Sequence, residues 1–246
     1  MTDRPSRTDR PAEHTWIFGY GSLVAPASLA RTIGRTVRFG DDALVASLDG
    51  HGRRWNYGSE TLRGDWTAPD GRRVHDGVVV SLGVEASDGE TVNGVIVRLD
   101  SDELARLDWR ERAYDRVEVT HLVTVLPGPT TAGRSGPGTE SGAETHTGAD
   151  ADHGAGLDHA DQRSDGAHVA VTPGPVEVYV PKPHAVERYV RHRDDGTAAV
   201  RRDYHDLVDA AFAVLGPRHH EWFRTTPPPD VPIVDVELRP PSDRPG

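Results

Sequence analysis

The sequence contains no cysteine and a single lysine, Lys182, among its 246 residues. The absence of cysteine excludes disulfide bonds, thiolate-ligated metal sites and a cysteine nucleophile, and it leaves the redox compartment of the protein open. Long apolar runs are missing too, since none approaches the roughly 18 residues that a membrane-spanning helix needs. Residues 1–13 are polar and contain three arginines, which is not the pattern of a signal peptide. We therefore expect a cytoplasmic protein without a membrane partner.

Acidic residues outnumber basic ones, which gives a formal net charge of −11 at pH 7. A protein that binds nucleic acid normally presents a basic face, so this charge balance argues against such a partner. The length, with 35% hydrophobic residues, fits one or two globular domains. The oligomeric state is not fixed by these quantities.

One long segment, residues 128–168, has hardly any aliphatic side chains and consists mainly of Gly, Ala, Ser, Thr, Asp and His. Because it cannot bury enough apolar surface to offset the entropy of ordering, we expect a disordered acidic insertion within one domain. That domain would comprise residues 14–127 and 169–226, between a disordered tail, residues 1–13, and an extended proline-rich tail, residues 227–246. Histidines of the insertion could bind a metal, although their loose spacing is more typical of a solvated segment. They are His146, His153, His159 and His168.

Apolar runs on both sides of the insertion predict a sheet-rich core. Two helices are predicted as well: one begins at the N-cap Ser101 and continues to Glu111, and the other spans residues 200–215 and stops at a Gly-Pro pair. A short helix is expected between turns at residues 181–183 and 193–196. These elements together predict an α+β fold. The predicted strands are residues 16–18, 43–48, 78–82, 92–99, 121–126 and 176–180, with an edge strand within residues 231–238.

Residues 16–23, WIFGYGSL, read as an apolar strand followed by a glycine-flanked Tyr-Gly-Ser turn. Gly19 and Gly21 let a ligand approach the backbone N–H groups closely, so the turn could hold a small anion. A tight turn with an aromatic plug is the alternative. The common glycine-rich motifs do not fit, because no Gly-Lys-Ser/Thr follows, Val24 replaces the third glycine of a dinucleotide fingerprint, and no Gly-x-Ser-x-Gly elbow is present.

Glu111 lies seven residues after Leu104 and four after Leu107, so a continuous helix would place its carboxylate on the apolar face. Burial there would raise the pKa of the carboxyl toward neutrality, as suits a general acid/base. An adjacent arginine would instead lower that pKa and make a structural ion pair. The candidate partners are Arg106, Arg110 and Arg112.

Four segments carry a resemblance to a known family. They are FGYGSL at residues 18–23, RRWNYGS at residues 53–59 with an Arg-Gly pair shortly after it, LDWRERAY at residues 107–114, and VYV at residues 178–180. In this order they resemble the gamma-glutamylcyclotransferase superfamily, and within it the ChaC branch that acts on glutathione. The third segment is similar to the one in which that family places its catalytic glutamate, and Glu111 is the matching residue.

The resemblance implies a mixed β-barrel or sheet with a few packed helices, and it implies a reaction. The alpha-amine of a gamma-glutamyl group would attack its own side-chain amide carbonyl, giving 5-oxoproline and a free amine, with Glu111 as general acid/base. Neither a metal nor a cofactor is implied, and the partner is a small gamma-glutamyl substrate. The residues implied in substrate binding are Tyr20, Gly21, Ser22, Leu23, Arg54, Arg63 and Tyr179.

These residues would have distinct roles. The Tyr-Gly-Ser-Leu loop would hold the alpha-carboxylate or the carbonyl oxygen, on which negative charge grows during attack. Arg54 and Arg63 would meet a distal carboxylate such as that of glutathione, although surface ion pairs explain them nearly as well. Tyr179 would donate a hydrogen bond to the substrate, or be a core tyrosine with a satisfied hydroxyl.

Three alternatives stay open at this point. The chain could be a catalytically silent relative that serves as a ligand sensor or interaction module. It could keep the reaction but act on a gamma-glutamyl amino acid or amine instead of glutathione. A serine hydrolase with Ser22 as nucleophile is the most distant alternative, and it predicts that Ser22→Ala abolishes turnover.

Overall fold

The computed structural model describes residues 14–128 and 174–240. The predicted N-terminal tail, all of the predicted insertion except its first residue, and residues 241–246 lie outside these ranges. Within them the chain has a mixed α+β fold, in which a nine-stranded sheet packs against five helices. The fold class predicted from the sequence is confirmed.

The sheet is built around one long antiparallel hairpin, β2 with β3, and continues on both sides of it in the order β4-β6-β1-β3-β2-β5. β1 pairs antiparallel with β3 and parallel with β6, while β7 runs parallel to β3. In chain order the strands are β1 (Thr15–Gly19), β2 (Ala43–Thr67), β3 (Arg73–Leu99), β4 (Tyr114–Glu118), β5 (Val123–Val125), β6 (Val176–Pro181), β7 (Ala198–Arg201), β8 (Ile233–Val234) and β9 (Glu237–Leu238).

The long hairpin contains three of the predicted strands and extends well beyond them. Residues 43–48 form only the start of β2, and residues 78–82 and 92–99 are two parts of the single strand β3. The predicted strand at residues 121–126 is shorter than expected, because residues 120–122 form a 3₁₀ turn before β5 begins.

A pair of hydrogen bonds continues the pairing of β4 with β6 past the end of β4. The Val119 N–H donates to the carbonyl oxygen of Val176 at 2.8 Å, and the Val176 N–H donates to Thr120 Oγ1 at 2.8 Å. β5, which pairs with β2, begins three residues after Thr120, so this short segment connects one edge strand of the main sheet order, β4, to the other, β5.

The C-terminal segment packs onto the sheet. β8 pairs with β7 and β9 pairs with β2, so the edge strand expected within residues 231–238 is present as two short strands. Val231 and Val234 are buried there. The described part of the extended tail thus contributes to the domain.

Three of the five described helices lie close to the positions that the sequence predicts, with two corrections to where they start, while Pro26–Ile33 and Pro217–Arg224 are not predicted from the sequence. The N-cap of α2 is Asp100 rather than Ser101, because its Oδ1 accepts from the Glu103 N–H at 2.8 Å while Glu103 Oε2 accepts from the Asp100 N–H at 3.0 Å. α4 begins after Val200, since that residue lies in β7. The helices are α1 (Pro26–Ile33), α2 (Ser101–Arg110), α3 (Pro183–Asp194), α4 (Arg202–Val214) and α5 (Pro217–Arg224).

The core lies between the sheet and the helices, and it fixes the two elements that carry the candidate site. Phe18 of β1 and Leu107 of α2 are fully buried in one hydrophobic cluster with Phe212 of α4. A Cβ on Gly94 of β3 would collide with the carbonyl oxygen of Gly19, so glycine at 94 permits the close approach of β1 to β3. None of the described helices has the length and apolarity that crossing a bilayer requires.

Candidate functional site

Two cavities that share part of their lining open beside the C-terminal end of α2. The outer cleft has a volume of about 480 Å³, within the usual range for small-molecule sites, and the inner pocket has a volume of about 40 Å³. Their shared lining residues are Ser22, Glu111, Tyr114 and Tyr204. The inner pocket is lined in addition by Tyr20, Gly21, Leu23, Leu82 and Tyr179.

The Tyr-Gly-Ser turn forms one wall of the inner pocket. After β1 ends at Gly19, the chain turns and enters a 3₁₀ helix, Ser22–Val24, in which the Val24 N–H donates to the carbonyl oxygen of Gly21 at 2.9 Å. A Cβ on Gly19 would lie 2.7 Å from Leu23 Cβ, so this tight turn needs glycine there. The first N–H groups of such a helix have no acceptor within it. The N–H groups of Ser22 and Leu23 therefore have no acceptor within this 3₁₀ helix, and their binding of an anion stays a prediction.

Glu111 terminates α2 and faces both cavities. Its N–H donates to the carbonyl oxygen of Leu107 at 2.8 Å, and its φ and ψ of −94° and 21° end the regular helix. The side chain is 14% exposed. Burial raises the pKa of the Glu111 carboxyl above its ordinary value, and Arg110 opposes this shift as the nearby cation. The sequence leaves open whether Glu111 is buried or paired with an arginine. Both occur, and the net effect is a raised pKa of the carboxyl.

Arg110 connects Glu111 to the turn. Its Nε lies 2.9 Å from Glu111 Oε1, and its Nη2 donates to Ser22 Oγ at 2.6 Å. Its Nη1 donates to Thr32 Oγ1 of α1 at 2.9 Å. Sequence reasoning named Arg110 only as one of three possible partners of Glu111 and did not connect it to Ser22.

Five of the six tyrosines of the chain line the two cavities. Burial is the main cause that raises the pKa of each hydroxyl, so all five are neutral donors and acceptors near pH 7. Tyr57 and Tyr114 stack with ring centroids 4.5 Å apart. The sequence alone assigns no site role to Tyr57, Tyr114 or Tyr204. The signal that could have found the first two is their position within the segments at residues 53–59 and 107–114, which carry the family resemblance. The five are Tyr20, Tyr57, Tyr114, Tyr179 and Tyr204.

Tyr20 and Tyr179 are both buried, and their hydroxyls are engaged within the protein. The Tyr20 hydroxyl donates to the carbonyl oxygen of Tyr179 at 2.7 Å, which ties the turn to β6. The Tyr179 hydroxyl donates to Asp108 Oδ1 at 2.7 Å, and this bond adds to burial in raising its pKa. Tyr179 therefore contributes its ring to the pocket wall, while its hydroxyl is satisfied as the alternative interpretation predicts.

Arg54 and Arg63 are not brought to either cavity. Arg54 pairs with Glu85 at 3.0 Å and with Glu90 at 2.5 Å, while Arg63 pairs with Asp76 at 3.0 Å. Both arginines lie on β2 and hold it to acidic side chains of β3.

Other arginines line the outer cleft. Arg110 is paired with Glu111, and the Nε of Arg201 donates to Asp203 Oδ1 at 2.9 Å. Arg31 of α1 is exposed and makes no ion pair with any residue of the described ranges. Among the arginines of the cleft lining, Arg31 is thus the one without an acidic partner in the described part of the chain.

Within residues 14–128 and 174–240, no group of three or more His, Asp or Glu side chains could hold a metal ion. The histidines of the predicted insertion lie outside these residues. Neither cavity has a described histidine in its lining, and the acidic side chains among the lining residues are Glu111, which lines both cavities, and Asp203, which lines the outer cleft.

Comparisons with known proteins add a fold likeness. No family model matches the sequence, and no curated protein matches it. Among solved structures, a gamma-glutamyl cyclotransferase is 14% identical over 89% of this chain and 90% of that chain, with a TM-score of 0.42. A cyclotransferase specific to glutathione, from yeast, is 13% identical over 87% and 97% at 0.39. An uncharacterized protein from Homo sapiens is 15% identical over 92% and 95% at 0.44. Identities and TM-scores this low leave the function to be argued from the site itself.

Proposed function

We propose that this protein is a gamma-glutamyl cyclotransferase that converts a gamma-glutamyl compound to 5-oxoproline and a free amine. The observation that carries the proposal is a half-buried glutamate, Glu111, at the junction between a small donor-lined pocket and a larger open cleft. The bond that forms joins the alpha-nitrogen to the side-chain carbonyl carbon, and the bond that breaks joins that carbon to the leaving nitrogen. The proton lost by the alpha-amine passes to Glu111 and then to the leaving nitrogen.

The environment of Glu111 suits this proton transfer. An alpha-amino group has an ordinary pKa near 8, about 3 to 4 units above that of an ordinary glutamate. Burial narrows this gap because it raises the pKa of the carboxyl. A carboxylate whose pKa is closer to those of its proton donor and acceptor is the more effective general acid/base.

The inner pocket suits an anionic oxygen of the gamma-glutamyl group. Its volume is about 40 Å³ against about 480 Å³ for the outer cleft, so we place the compact carboxylate or carbonyl oxygen in the inner pocket and the bulkier leaving group in the cleft. The Tyr-Gly-Ser turn would supply backbone N–H donors at that point. Holding the group there folds the glutamyl chain toward ring closure, which makes the attack effectively unimolecular.

The outer cleft would hold the leaving amine. Its lining is polar, with Ser59, Thr61 and Ser81 beside the exposed Arg31. A carboxylate on the leaving amine would find its charge partner in Arg31. We therefore favour gamma-glutamyl amino acids and peptides, glutathione among them, over gamma-glutamylamines without a carboxylate. The cytoplasmic location expected from the sequence stays a prediction.

The contacts of Ser22 argue against the serine hydrolase alternative. A nucleophilic serine needs an adjacent general base. Ser22 Oγ instead accepts a hydrogen bond from Arg110, a cation, and no described histidine lines either cavity. We expect Ser22→Ala to reduce turnover without abolishing it.

The test is release of 5-oxoproline by wild type and Glu111→Gln from glutathione, gamma-glutamyl amino acids and gamma-glutamylamines. The matched control is Asp203→Asn, since Asp203 is also an acidic residue of the cleft but is paired with Arg201. We expect Glu111→Gln to lower kcat by a factor of about 10² to 10⁴, and Asp203→Asn to keep most of the activity. Folded wild type that releases 5-oxoproline from none of these substrates would refute the proposal and favour the silent sensor.

A further inference from the structure

We propose that Arg110 is a positioning residue, which holds the Glu111 carboxylate in a fixed orientation and couples it to the Tyr-Gly-Ser turn. The inference rests on the proposed function, in which Glu111 moves the proton and the turn holds the anionic oxygen. Catalysis needs these two groups at a defined separation, and Arg110 contacts both of them.

The guanidinium of Arg110 is held from three sides. Nε meets Glu111 Oε1 at 2.9 Å, Nη2 donates to Ser22 Oγ at 2.6 Å, and Nη1 donates to Thr32 Oγ1 at 2.9 Å. Because a guanidinium is a rigid planar fork, contacts to three partners fix its plane and with it the carboxylate that it pairs. Thr32 lies on α1 and is not one of the reacting groups, so its hydrogen bond fixes the position of Arg110 relative to α1.

Attachment of α2 to α1 does not by itself require Arg110. Arg106, one turn earlier in α2, donates its Nη2 to the carbonyl oxygen of Ile33 at 2.7 Å. At the other end of α2, Glu103 pairs with Arg35 at 2.5 Å. The first contact joins α2 to α1 and the second joins α2 to the segment directly after α1, whereas Arg110 adds the contacts to Ser22 and Glu111.

The other charged and titratable groups that face the cavities leave Arg110 as the cation in contact with Glu111. The five cavity tyrosines come from the turn, β2, β4, β6 and α4, and burial keeps them neutral by raising each pKa. Arg201 and Asp203 pair with each other in the outer cleft. Arg31 lines that cleft without touching an acid of the described ranges.

Removal of Arg110 should therefore change the titration of Glu111 in a defined direction. Arg110 lowers the pKa of the carboxyl against the effect of burial. Without it the pKa rises further, so a smaller fraction is ionised at any given pH. The acid limb of the kcat/KM profile should then move to higher pH.

The experiment compares Arg110→Gln and Arg110→Lys with wild type and with the control Arg106→Gln. Two quantities are measured: the pH profile of kcat/KM for 5-oxoproline release, and the titration of Glu111 by NMR with ¹³C-labelled glutamate carboxyls, assigned by Glu111→Gln. In Arg110→Gln we expect both midpoints to rise by about 1 unit, the size of an ordinary charge-pair effect, and kcat/KM near neutral pH to fall by at least tenfold. Arg106→Gln should change neither midpoint.

Arg110→Lys separates charge from geometry. Lysine keeps the cation but lacks the planar fork, so the titration of Glu111 should return toward the wild-type value while kcat/KM stays low. An Arg110→Lys enzyme with full activity, or an unchanged Glu111 titration in folded Arg110→Gln, would overturn the inference. If Arg110→Gln does not fold, Arg110→Lys is the deciding variant. A low kcat/KM with an unchanged Glu111 titration supports the inference, and full activity overturns it. Wild type that releases no 5-oxoproline would refute the proposed function, whereas the NMR arm would still test the contact of Arg110 with Glu111.

Discussion

Arg31 is the cleft residue best suited to select the leaving amine. It lies on α1, it is exposed, and it has no acidic partner among the described residues, unlike Arg110 and Arg201. We expect Arg31→Ala to raise KM about tenfold for substrates whose leaving amine carries a carboxylate, because a charge-assisted hydrogen bond contributes about 1.5 kcal/mol or more. KM for gamma-glutamylamines should change little. Steady-state kinetics on paired substrates measures both.

Arg54→Ala is the matched control, since the sequence assigns Arg54 the same role but the structure pairs it with Glu85 and Glu90 outside the cavities. It should leave KM for both substrate classes near the wild-type value. Selective loss of the carboxylate-bearing substrates in Arg54→Ala and not in Arg31→Ala would reverse the assignment.

The sequence predicts the local parts of the site better than its distant parts. Helix periodicity and turn chemistry act over a few residues, so the sequence alone points to Glu111 and to the Tyr-Gly-Ser turn. Alternation along β2 does not give the face of the sheet on which the Arg54 and Arg63 side chains lie. The register of β2 with β3 shifts between Arg54 and Tyr57 and again between Gly58 and Arg63. Each shift can move the following side chains to the other face of the sheet.

At the scale of elements, a buried arginine attaches the last two helices to the sheet. Arg53 of β2 is 2% exposed, and its guanidinium lies 4.7 Å from the ring centroid of Phe212 in α4 and 5.1 Å from that of Phe223 in α5. Its Nη1 donates to Thr226 Oγ1 at 3.0 Å, and its Nη2 donates to Asn93 of β3. Burial lowers the pKa of Arg53, since nothing acidic is among these partners.

We expect Arg53→Ala to lower the free energy of unfolding by about 3 kcal/mol, because it leaves a cavity beside the stacked rings of Phe212 and Phe223 and unpaired polar groups on Asn93. Arg53→Lys should recover little of this, since lysine lacks the planar fork that packs beside the stacked rings of Phe212 and Phe223. The neighbouring Arg54→Ala should cost no more than about 1 kcal/mol, as a partly exposed ion pair does. Urea unfolding of the three variants measures the difference, and equal losses at positions 53 and 54 would contradict the role of Arg53.

The elements themselves were predictable where their residues are apolar. Residues 49–67 of β2 escaped prediction because charged and polar side chains, among them His51, Arg53 and Asn56, interrupt the alternation and are nonetheless buried. α5 escaped because two histidines and two arginines leave it few apolar positions, of which Phe223 is buried. Tertiary contacts decide such segments, and a single sequence does not contain them.

At the scale of the whole molecule, the end of β5 and the start of β6 lie close together in space, although residues 126–175 separate them in the sequence. Val176 is hydrogen-bonded to Thr120, and Val125, the end of β5, is only five residues further along the chain. Five extended residues span at most about 18 Å, whereas nine residues reach about 30 Å. The chain that remains after removal of residues 128–168, namely residues 126–127 and 169–175, is therefore long enough to join the strands.

We expect deletion of residues 128–168 to leave the free energy of unfolding within about 1 kcal/mol of wild type, because composition predicts that they bury no core. The urea m-value should stay the same, since it follows the surface exposed on unfolding. The contrasting variant ends the chain at Asp230, which removes β8, β9, and the buried Val231 and Val234. That truncation should cost about 3 kcal/mol or more. Destabilisation by the internal deletion as large as that of the truncation would mean that residues 128–168 belong to the folded core.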